Sequence, residues 1–409
     1  IARELVLNRV PVVVVDQADI ASGTTAYSSR LIHGGLRYLE HREFALVRES
    51  LEERERLLRL APDFVKPLEL FIPVARRWGG LMGAPRGLWM IRSGLWLYDR
   101  FARGDPLPRH QVHRANEGDV PRVDAQHFRW MCSYWDAQIV SPERFTIALL
   151  QDAREFATEA EVDFQVLPYH RARLLGATVA LEPRYGQVAS ETEFTPSLVI
   201  NATGAWVDRT LSALRVPAPE LIGGTKGSHL FTWHAGLQER LSGRAVYVEA
   251  RDGRPVFVLP LDQGTLIGTT DLPYTGDPAD ARTSQPEIEY LLSAVEQVFG
   301  DLQLNENHIA WHYSGLRPLP YVDAGSPAAI TRRHWLHAHD NAPVPLVSIV
   351  GGKLTTCRSL AEEVAARVCS QLEVPRLASS RERPIPDRQP QVESPHELAR
   401  WSVQHTWAH

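Results

Sequence analysis

Cysteine is scarce in this 409-residue chain, and other features are missing altogether. Only three cysteines occur, with no C-x-x-C pair, which argues against a disulfide framework or a cysteine zinc site and fits a reducing compartment. No apolar run approaches the roughly 20 residues that span a bilayer. The net charge of -5 offers no overall basic field to nucleic acid or to an anionic membrane, so an anion must be bound by a local cluster.

Lysine is rare as well. Only Lys66, Lys226 and Lys353 occur, so arginine supplies the other 41 of the 44 basic residues. Lys226 and Lys353 lie in glycine-containing segments, GTKGSH and GGKLTT. We expect a compact ammonium to be needed at these two positions, where a planar guanidinium would not fit; the alternative is chance among few residues.

The length allows two or three domains, and the two halves of the chain favour different sheets. An apolar run at 12–15 predicts a buried parallel strand, and Asp16 ends it where a dinucleotide-binding unit places the carboxylate for a ribose hydroxyl. Many α/β proteins share that pattern. Later strand-like runs, separated by Gly, Pro and Asp turns, occur at 198–202, 256–261, 265–270 and 346–350. We predict a parallel nucleotide-binding sheet and an antiparallel substrate sheet.

A turn rich in small hydroxyl residues occupies 22–29 and is followed by His33, Gly34 and Gly35. Ser and Thr side chains can donate to a phosphate, and paired glycines let a flat ring approach the backbone. The alternative is a Ser/Thr turn that caps an ordinary helix.

Six segments, in this order along the chain, resemble the FAD-dependent (aerobic-type) glycerol-3-phosphate dehydrogenase family: SSRLIHGGLRYLEHREFALVRESLEERERLLRLAP, NATGAWVD, GTKGSH, VFVLPLDQGTLIGTTDLPYTGDP, YSGLRPL and GGKLTT. The match covers nearly all of residues 1–372 and is far more specific than a lone glycine motif. The resemblance implies an α/β fold with a Rossmann-type FAD-binding domain and a second, antiparallel-sheet substrate domain, as in the amino-acid oxidases. It also implies that the C-terminal helical region is truncated in this sequence.

The same resemblance implies a division into domains. The family's first strand and glycine-rich loop would precede Ile1, so we interpret the sequence as clipped and expect the clipped chain alone to bind FAD weakly. We assign residues 1–65, 130–215 and 335–374 to a discontinuous FAD-binding domain, 66–129 and 216–334 to a substrate-binding or cap domain, and 375–409 to a linker and the start of the truncated helical domain.

The family's cofactor contacts, carried over to matching positions, imply FAD as the cofactor. Asp16 would hold the adenosine ribose, and the hydroxyl-rich turn would follow the pyrophosphate and flavin. In GGKLTT a strand ends and a helix begins, so N–H groups and the positive end of the helix dipole would face the N1/C2 side of the flavin. The predicted FAD-binding residues are Asp16, Thr24, Ser28, Ser29, Leu31, His33, Gly34, Thr203, Gly204, Trp206, Gly351, Gly352, Lys353, Leu354 and Thr355.

The substrate that the resemblance implies, sn-glycerol 3-phosphate, carries a dianionic phosphate that needs charge-assisted hydrogen bonds. We predict that Arg37, Tyr38, Arg317, Arg332 and Lys353 bind it. Removal of the C2 hydroxyl proton calls for a base with a pKa near neutrality. The predicted catalytic residues are His33 and His229, which stay unranked as the base, and Arg317.

No metal is expected, because the His337-Ala338-His339-Asp340 segment lacks a third well-spaced ligand.

The reaction that the resemblance implies is oxidation of sn-glycerol 3-phosphate to dihydroxyacetone phosphate, with electrons passed to a membrane quinone. Alternatives are an amino-acid or 2-hydroxy-acid oxidoreductase on the same fold, and a degenerate flavoprotein scaffold. We expect a cytoplasmic protein that binds no nucleic acid and contacts the inner face of the cell membrane peripherally, with residues 81–98 as the candidate contact and a homodimer as the candidate assembly.

Overall fold

The computed structural model describes residues 1–40, 42–75, 87–102, 104, 106–185, 192–322 and 330–387. Within these ranges the strands form four sheets. The helices are α1 (Ala2–Leu7), α2 (Phe44–Leu60), α3 (Leu88–Phe101), α4 (Pro142–Ala160), α5 (Val207–Ala213), α6 (Ala235–Leu241), α7 (Gln285–Phe299) and α8 (Cys357–Gln371). The strands are β1 (Val12–Val15), β2 (Leu31–Ile32), β3 (Val65–Ala75), β4 (Gln111–Arg114), β5 (Phe128–Ile139), β6 (Phe164–Leu167), β7 (His170–Leu175), β8 (Thr178–Pro183), β9 (Thr192–Phe194), β10 (Val199–Asn201), β11 (Thr225–Thr232), β12 (Ala245–Glu249), β13 (Pro255–Leu261), β14 (Gly264–Gly268), β15 (Leu272–Pro273), β16 (Ile309–Arg317), β17 (Trp335–Ala338) and β18 (Leu346–Val350).

Two sheets are built on parallel pairs, as the sequence predicts for the nucleotide-binding part. β1 pairs with β6, and β10 pairs with β18, whose other neighbour is the antiparallel β17. β18 is buried along its whole length, as its apolar sequence indicates. β1 is only half-buried, and Val13 is 36% exposed, because β6 is its only strand neighbour among the described residues. The prediction of a buried strand at 12–15 is therefore wrong in its burial and confirmed in its parallel pairing.

The largest sheet has ten strands among the described residues, eight of them in its main path, and is mainly antiparallel. Their order is β15-β11-β14-β13-β12-β3-β5-β2, and β16 and β4 pair off this path with β11 and β5. Side chains alternate between its faces. Leu230 and Val258 pack with Leu291 of α7, while Leu70 on the other side packs with Leu95 of α3. The strands predicted at 198–202, 256–261, 265–270 and 346–350 are confirmed as β10, β13, β14 and β18.

A buried ion pair ties β11 to the start of α7. Ser284 and Glu287 form a capping box at that helix, and Glu287 also lies 2.7 Å from Lys226 Nζ. Ser228 Oγ and Thr270 Oγ1 donate to Glu287 at 2.7 and 2.8 Å. Burial alone would raise the pKa of Glu287, but Lys226, the strongest donor, together with Ser284 and Ser228 lowers it to about 2. Lys226 is therefore an internal ion-pair partner.

The segment 376–385, for which we predicted a linker, lies against α1 and α4 through specific contacts. Asn8 Oδ1 accepts from the backbone N–H groups of Leu377 and Ala378 at 2.7 and 3.1 Å. Arg383 donates to both carboxylate oxygens of Asp152 at 2.8 Å. Ile385 is 1% exposed in a core cluster. Contacts with α1 and α4 thus hold the described part of the predicted linker in place. Residues 388–409 of that linker lie outside the described residues.

A second buried ion pair supports the turn that follows β2. Asp136 in β5 accepts from Arg54 Nη1 at 2.5 Å, from the Tyr98 hydroxyl at 2.8 Å and from the Gly34 N–H at 3.1 Å. Both ion-pair side chains are 2% exposed. Because a buried carboxylate needs several donors, α2, α3 and the turn at His33-Gly34 are fixed relative to one another through Asp136.

Gly34 leaves no room for a side chain, so Gly34→Ala should destabilise the fold. An added Cβ would overlap the Tyr98 hydroxyl and lie 2.5 Å from Leu51 Cδ2. We expect the free energy of unfolding to fall by about 1–3 kcal/mol, measured by urea denaturation followed by tryptophan fluorescence. Gly94→Ala in α3 is the control, because an added Cβ there meets nothing within 4 Å and the change should stabilise the helix slightly. Equal effects would contradict the packing role of Gly34.

Candidate active site

Two of the motifs meet at the turn after β2. The His33 N–H donates to Thr355 Oγ1 at 3.2 Å, and the Thr355 hydroxyl lies 3.4 Å from the His33 carbonyl. The strand-then-helix order predicted around GGKLTT is present, with β18 before it and α8 after it. Gly351 and Gly352 have φ of 78° and 92°, and a Cβ on Gly351 would lie 2.5 Å from the Arg333 carbonyl oxygen. Only glycine suits that conformation and approach.

The hydroxyl-rich turn at 22–29 lies against the largest sheet. Thr24 Oγ1 donates to the Leu316 carbonyl at 2.9 Å, and the Tyr313 hydroxyl donates to the Ser28 carbonyl at 3.0 Å. Ser29 Oγ lies 2.8 Å from His229 Nε2. The turn leads into β2, so the alternative of a turn that caps an ordinary helix is wrong.

The register of β11 and β16 explains why the next group of side chains lies together. Tyr313 is opposite His229, and Arg317 is opposite Thr225. Residues opposite one another, and those two apart along a strand, share a face. Tyr313 stacks on His229, with ring centroids 4.9 Å apart. A Cβ on Gly227, which lies between Thr225 and His229 on that face, would meet Arg317 Nη2 at 2.5 Å. The glycine therefore makes space for the guanidinium.

Three cations surround Tyr38. Lys353 Nζ lies 4.6 Å from the centroid of the Tyr38 ring. Burial raises the pKa of Tyr38, while the nearby Arg332, which hydrogen-bonds to its hydroxyl, and Arg317 act in the opposite direction. The His33 ring lies 6.4 Å from the Tyr38 ring. The structure thus brings together five of the predicted site residues.

Lys353 is an unusual lysine because its ammonium has no hydrogen-bond partner among the described residues. Burial lowers its pKa to about 7, although Asp136 nearby acts to raise it. Arg37 Nε is also buried without a partner in the described chain, but no described contact links the Arg37 side chain to the other cations. Of the two lysines in glycine segments, only Lys353 thus has unused donors, since Lys226 pairs with Glu287.

Both candidate bases are neutral at physiological pH. We predicted a base with a pKa near neutrality, but burial, with Lys353 close to His33 and Arg317 close to His229, lowers the pKa of each to about 3. A neutral imidazole can accept a proton. His229 Nδ1 is buried without a partner among the described residues, while its Nε2 faces Ser29. The structure leaves the two histidines unranked.

The residues after the parallel strands suit FAD. β10 and β18 are neighbours, so Thr203-Gly204 and Gly351-Gly352 follow at the same edge of one sheet, where α/β proteins bind nucleotides. Gly204 has a φ of 59°, and a Cβ there would meet nothing within 4 Å. Asp16 follows β1 and is an exposed residue, and its Oδ1 accepts from the Ala18 N–H at 2.9 Å. The unpartnered Lys353 ammonium adds a buried donor, and these glycines, the carboxylate and the cation are the candidates for the FAD contacts predicted from the sequence.

The remaining predicted residues have structural contacts. Thr203 Oγ1 donates to Asn201 Oδ1 at 2.7 Å, and a Cβ on Gly23 would lie 3.2 Å from the Trp206 ring. Leu31 is buried in β2, and Leu354 packs at the edge of the cluster that contains Ile32. Sequence reasoning missed five residues around the site: Arg54, Asp136, Thr269, Asp271 and Tyr313. For Asp136 the sequence does contain a signal of a functional or structural role, because a charged residue lies within an otherwise apolar strand.

Comparison with known proteins identifies the family to which the chain belongs. The family model described as FAD dependent oxidoreductase matches residues 1–358. Glycerol-3-phosphate dehydrogenase of Synechocystis is 36% identical over 91% of this chain and 68% of its own length, and aerobic glycerol-3-phosphate dehydrogenase of Escherichia coli is 35% identical over 87% and 68%. The solved glycerol-3-phosphate dehydrogenase of Bacillus halodurans, complexed with FAD, superposes with a TM-score of 0.67 at 22% identity, covering 98% of this chain and 68% of that chain.

The chain belongs to the FAD dependent oxidoreductase family, and its resemblance to the glycerol-3-phosphate dehydrogenases is confirmed. FAD is the cofactor that this family and the solved relatives define, as predicted. The predicted fold class, a FAD-binding part with parallel strands joined to an antiparallel sheet, is confirmed as well.

Replacement of Lys353 by methionine should stabilise the ligand-free chain, because it removes a buried, unpartnered ammonium. We expect the free energy of unfolding to rise by about 1–2 kcal/mol at pH 6. Below pH 7 the lysine is charged in both states, so the folded chain carries the full desolvation cost. Above pH 7 the folded form loses this proton before the unfolded chain does, which reduces the cost, so the gain should be smaller at pH 9.

Urea denaturation at the two pH values measures this difference. The control is Lys66→Met, because Lys66 is exposed on β3 and its replacement should change stability little at either pH. A loss of stability for Lys353→Met at pH 6 would show that the ammonium has a stabilising partner.

Proposed function

We propose that this chain uses FAD to oxidise sn-glycerol 3-phosphate to dihydroxyacetone phosphate, and that the electrons pass to a membrane quinone. The observation that carries the proposal is the group of cations around Tyr38, in which the Lys353 ammonium has no partner among the described residues. The names of the relatives at 36% and 35% identity support the substrate and the reaction. The quinone is supported by the resemblance alone.

The phosphate would be bound by Arg317, Arg332 and Lys353. Two guanidinium groups can each offer paired N–H donors, and a lysine adds a point charge. A dianion at this place would also raise the pKa of Lys353 and keep its ammonium charged at neutral pH. Arg37 is a further candidate, because its Nε is buried without a partner in the described chain. The Tyr38 hydroxyl, beside Arg332, would fix the orientation of the phosphate.

The proton of the C2 hydroxyl would pass to a neutral imidazole, that of His33 or His229. Bound FAD supplies the acceptor for the hydride from C2. His33 lies beside the phosphate-binding cations, and His229 has a buried, unpartnered Nδ1. Burial, together with nearby positive charge, keeps both rings neutral in the resting site, and each becomes a stronger base when the substrate dianion offsets that charge.

The alternative hypothesis, an amino-acid or 2-hydroxy-acid oxidoreductase, fits the site less well. A carboxylate substrate carries a single negative charge and would leave several cations of this group without compensation. A degenerate scaffold is also disfavoured, because an unpartnered buried ammonium destabilises a chain and has no evident use without a ligand.

Helix α3 offers a surface for peripheral membrane contact. Trp89, Met90 and Trp96 are 70%, 61% and 58% exposed, and the Arg92 guanidinium lies 5.7 Å from the Trp89 ring. Tryptophan beside arginine suits the headgroup boundary of a bilayer. Among the described residues no helix has the length and hydropathy needed to cross a membrane. We propose that this face lies on the inner surface of the cell membrane, close to the quinone; residues 81–86 of the predicted contact lie outside the described residues.

Anaerobic addition of sn-glycerol 3-phosphate to the FAD-loaded full-length protein should bleach the visible flavin band. Glycine and lactate, which carry a carboxylate in place of a phosphate, should leave the spectrum unchanged. Arg317→Met should raise the substrate concentration for half-reduction at least about tenfold, because a charge-assisted hydrogen bond is lost. An unchanged spectrum with sn-glycerol 3-phosphate would refute the proposed reaction.

The α3 surface predicts vesicle binding through its tryptophans. In sedimentation with phospholipid vesicles, a Trp89→Glu and Trp96→Glu double variant should lose most of the bound fraction, because charge at the headgroup boundary opposes insertion of the helix face. Trp233→Glu is the matched control, since Trp233 is 57% exposed but lies at the end of β11. Equal binding of the two variants would place the membrane contact elsewhere.

A further inference from the structure

Asp271 lies between two of the phosphate-binding cations. Its Oδ1 is 3.2 Å from Arg317 Nη1, and its Oδ2 is 3.6 Å from Arg332 Nη2. Each carboxylate oxygen therefore faces a different arginine. All three side chains are largely shielded, with 17%, 26% and 16% of their surfaces exposed. The contact is much less screened than a surface ion pair.

The two arginines repel each other, so something must hold them together before substrate arrives. Arg332 is among the charges that lower the pKa of Arg317, after burial, whereas Asp271 raises it. A single carboxylate that bridges two guanidinium groups both offsets this repulsion and fixes their separation. Arg332 Nη1 also donates to the Ile330 carbonyl at 2.9 Å, and Arg332 hydrogen-bonds to the Tyr38 hydroxyl.

The backbone that carries Asp271 is itself well fixed. Arg254 Nη1 donates to the Asp271 carbonyl at 3.0 Å. Thr269 Oγ1 and the Thr270 carbonyl accept from Arg317 Nη2 at 3.0 and 3.1 Å. Thr270 Oγ1 in turn donates to the buried Glu287. The segment 269–271 thus presents three acceptors to Arg317 from a rigid support, and Asp271 also reaches Arg332.

We propose that Asp271 is a positioning residue that sets the spacing and orientation of Arg317 and Arg332 for a phosphate dianion. It acts through the two arginines, and the guanidinium pair binds the anion. This inference rests on the proposed function for the identity of the substrate, but the anion site itself can be tested without any oxidation.

Charge and geometry predict opposite results, which makes the proposal testable. Asp271 is an anion next to an anion site, so by charge alone its neutralisation would strengthen phosphate binding. If its role is to position the arginines, neutralisation instead weakens binding, because the pair separates. Asp271→Glu adds a second test: it keeps the charge but moves the carboxylate by one methylene, so positioning predicts weaker binding and charge alone predicts no change.

The experiment is a calorimetric titration of the full-length, FAD-loaded protein with inorganic phosphate, accompanied by steady-state kinetics with sn-glycerol 3-phosphate. For Asp271→Asn we expect phosphate to bind about tenfold or more weakly and KM to rise by a similar factor, with a smaller change in kcat and an unchanged flavin spectrum. Asp271→Glu should fall between Asp271→Asn and the parent protein. Asp301→Asn is the control, since it removes an exposed carboxylate that pairs with Arg240, outside the proposed site.

Phosphate binding by Asp271→Asn that equals or exceeds that of the parent protein would overturn the proposal, as would unchanged binding by Asp271→Glu. A parent protein that does not bind phosphate would overturn it too. If Asp271→Asn does not retain FAD, the Asp271→Glu titration decides. If the parent protein binds phosphate but sn-glycerol 3-phosphate does not reduce its flavin, the proposed function fails while the role of Asp271 stands or falls on the titrations.

Discussion

The cations gathered around Tyr38 are the constraint to which the rest of the site is adapted. Two like charges 4 Å apart near a protein surface repel by about 4 kcal/mol, so such a group does not assemble by itself. Asp271 bridges two of the cations, and Asp136 acts on the third, Lys353, from behind the turn at His33. The remaining positive charge is left for a ligand. Much of the surrounding fold supplies the rigid framework that this arrangement needs.

That framework comes from distant parts of the chain. Arg317 is supplied by β16, Lys353 follows β18, and Tyr38 lies in the turn after β2. The sheet register puts Arg317 opposite Thr225, on the face where Gly227 leaves room for its guanidinium, and the Asp136–Arg54 pair fixes the turn through the Gly34 N–H. Glycine is required where a guanidinium or a hydroxyl approaches the backbone. The site is therefore specified by pairing between strands as much as by its own side chains.

The sequence predicted several strands and the three cations around Tyr38, but it did so by two different routes. Apolar runs bounded by Gly, Pro and Asp locate β10, β13, β14 and β18 directly, and motif resemblance led to Arg317, Arg332 and Lys353. The sequence could not show that Lys226 pairs with Glu287, or that β1 is half-buried, because both features depend on contacts between residues far apart in the chain. Asp271 was missed for the same reason: a carboxylate after a strand resembles any turn residue until its arginine partners are placed.

The contacts of the segment 376–385 also bear on synthesis of the protein. Ile385 completes a core cluster that includes Leu57 and Phe145, and Arg383 supplies part of the charge that compensates Asp152. A ribosome releases these residues only after the whole of the preceding chain. The core against which the amino-terminal helices pack therefore stays incomplete until residue 385 has left the ribosome. During that interval these helices are candidates for chaperone binding.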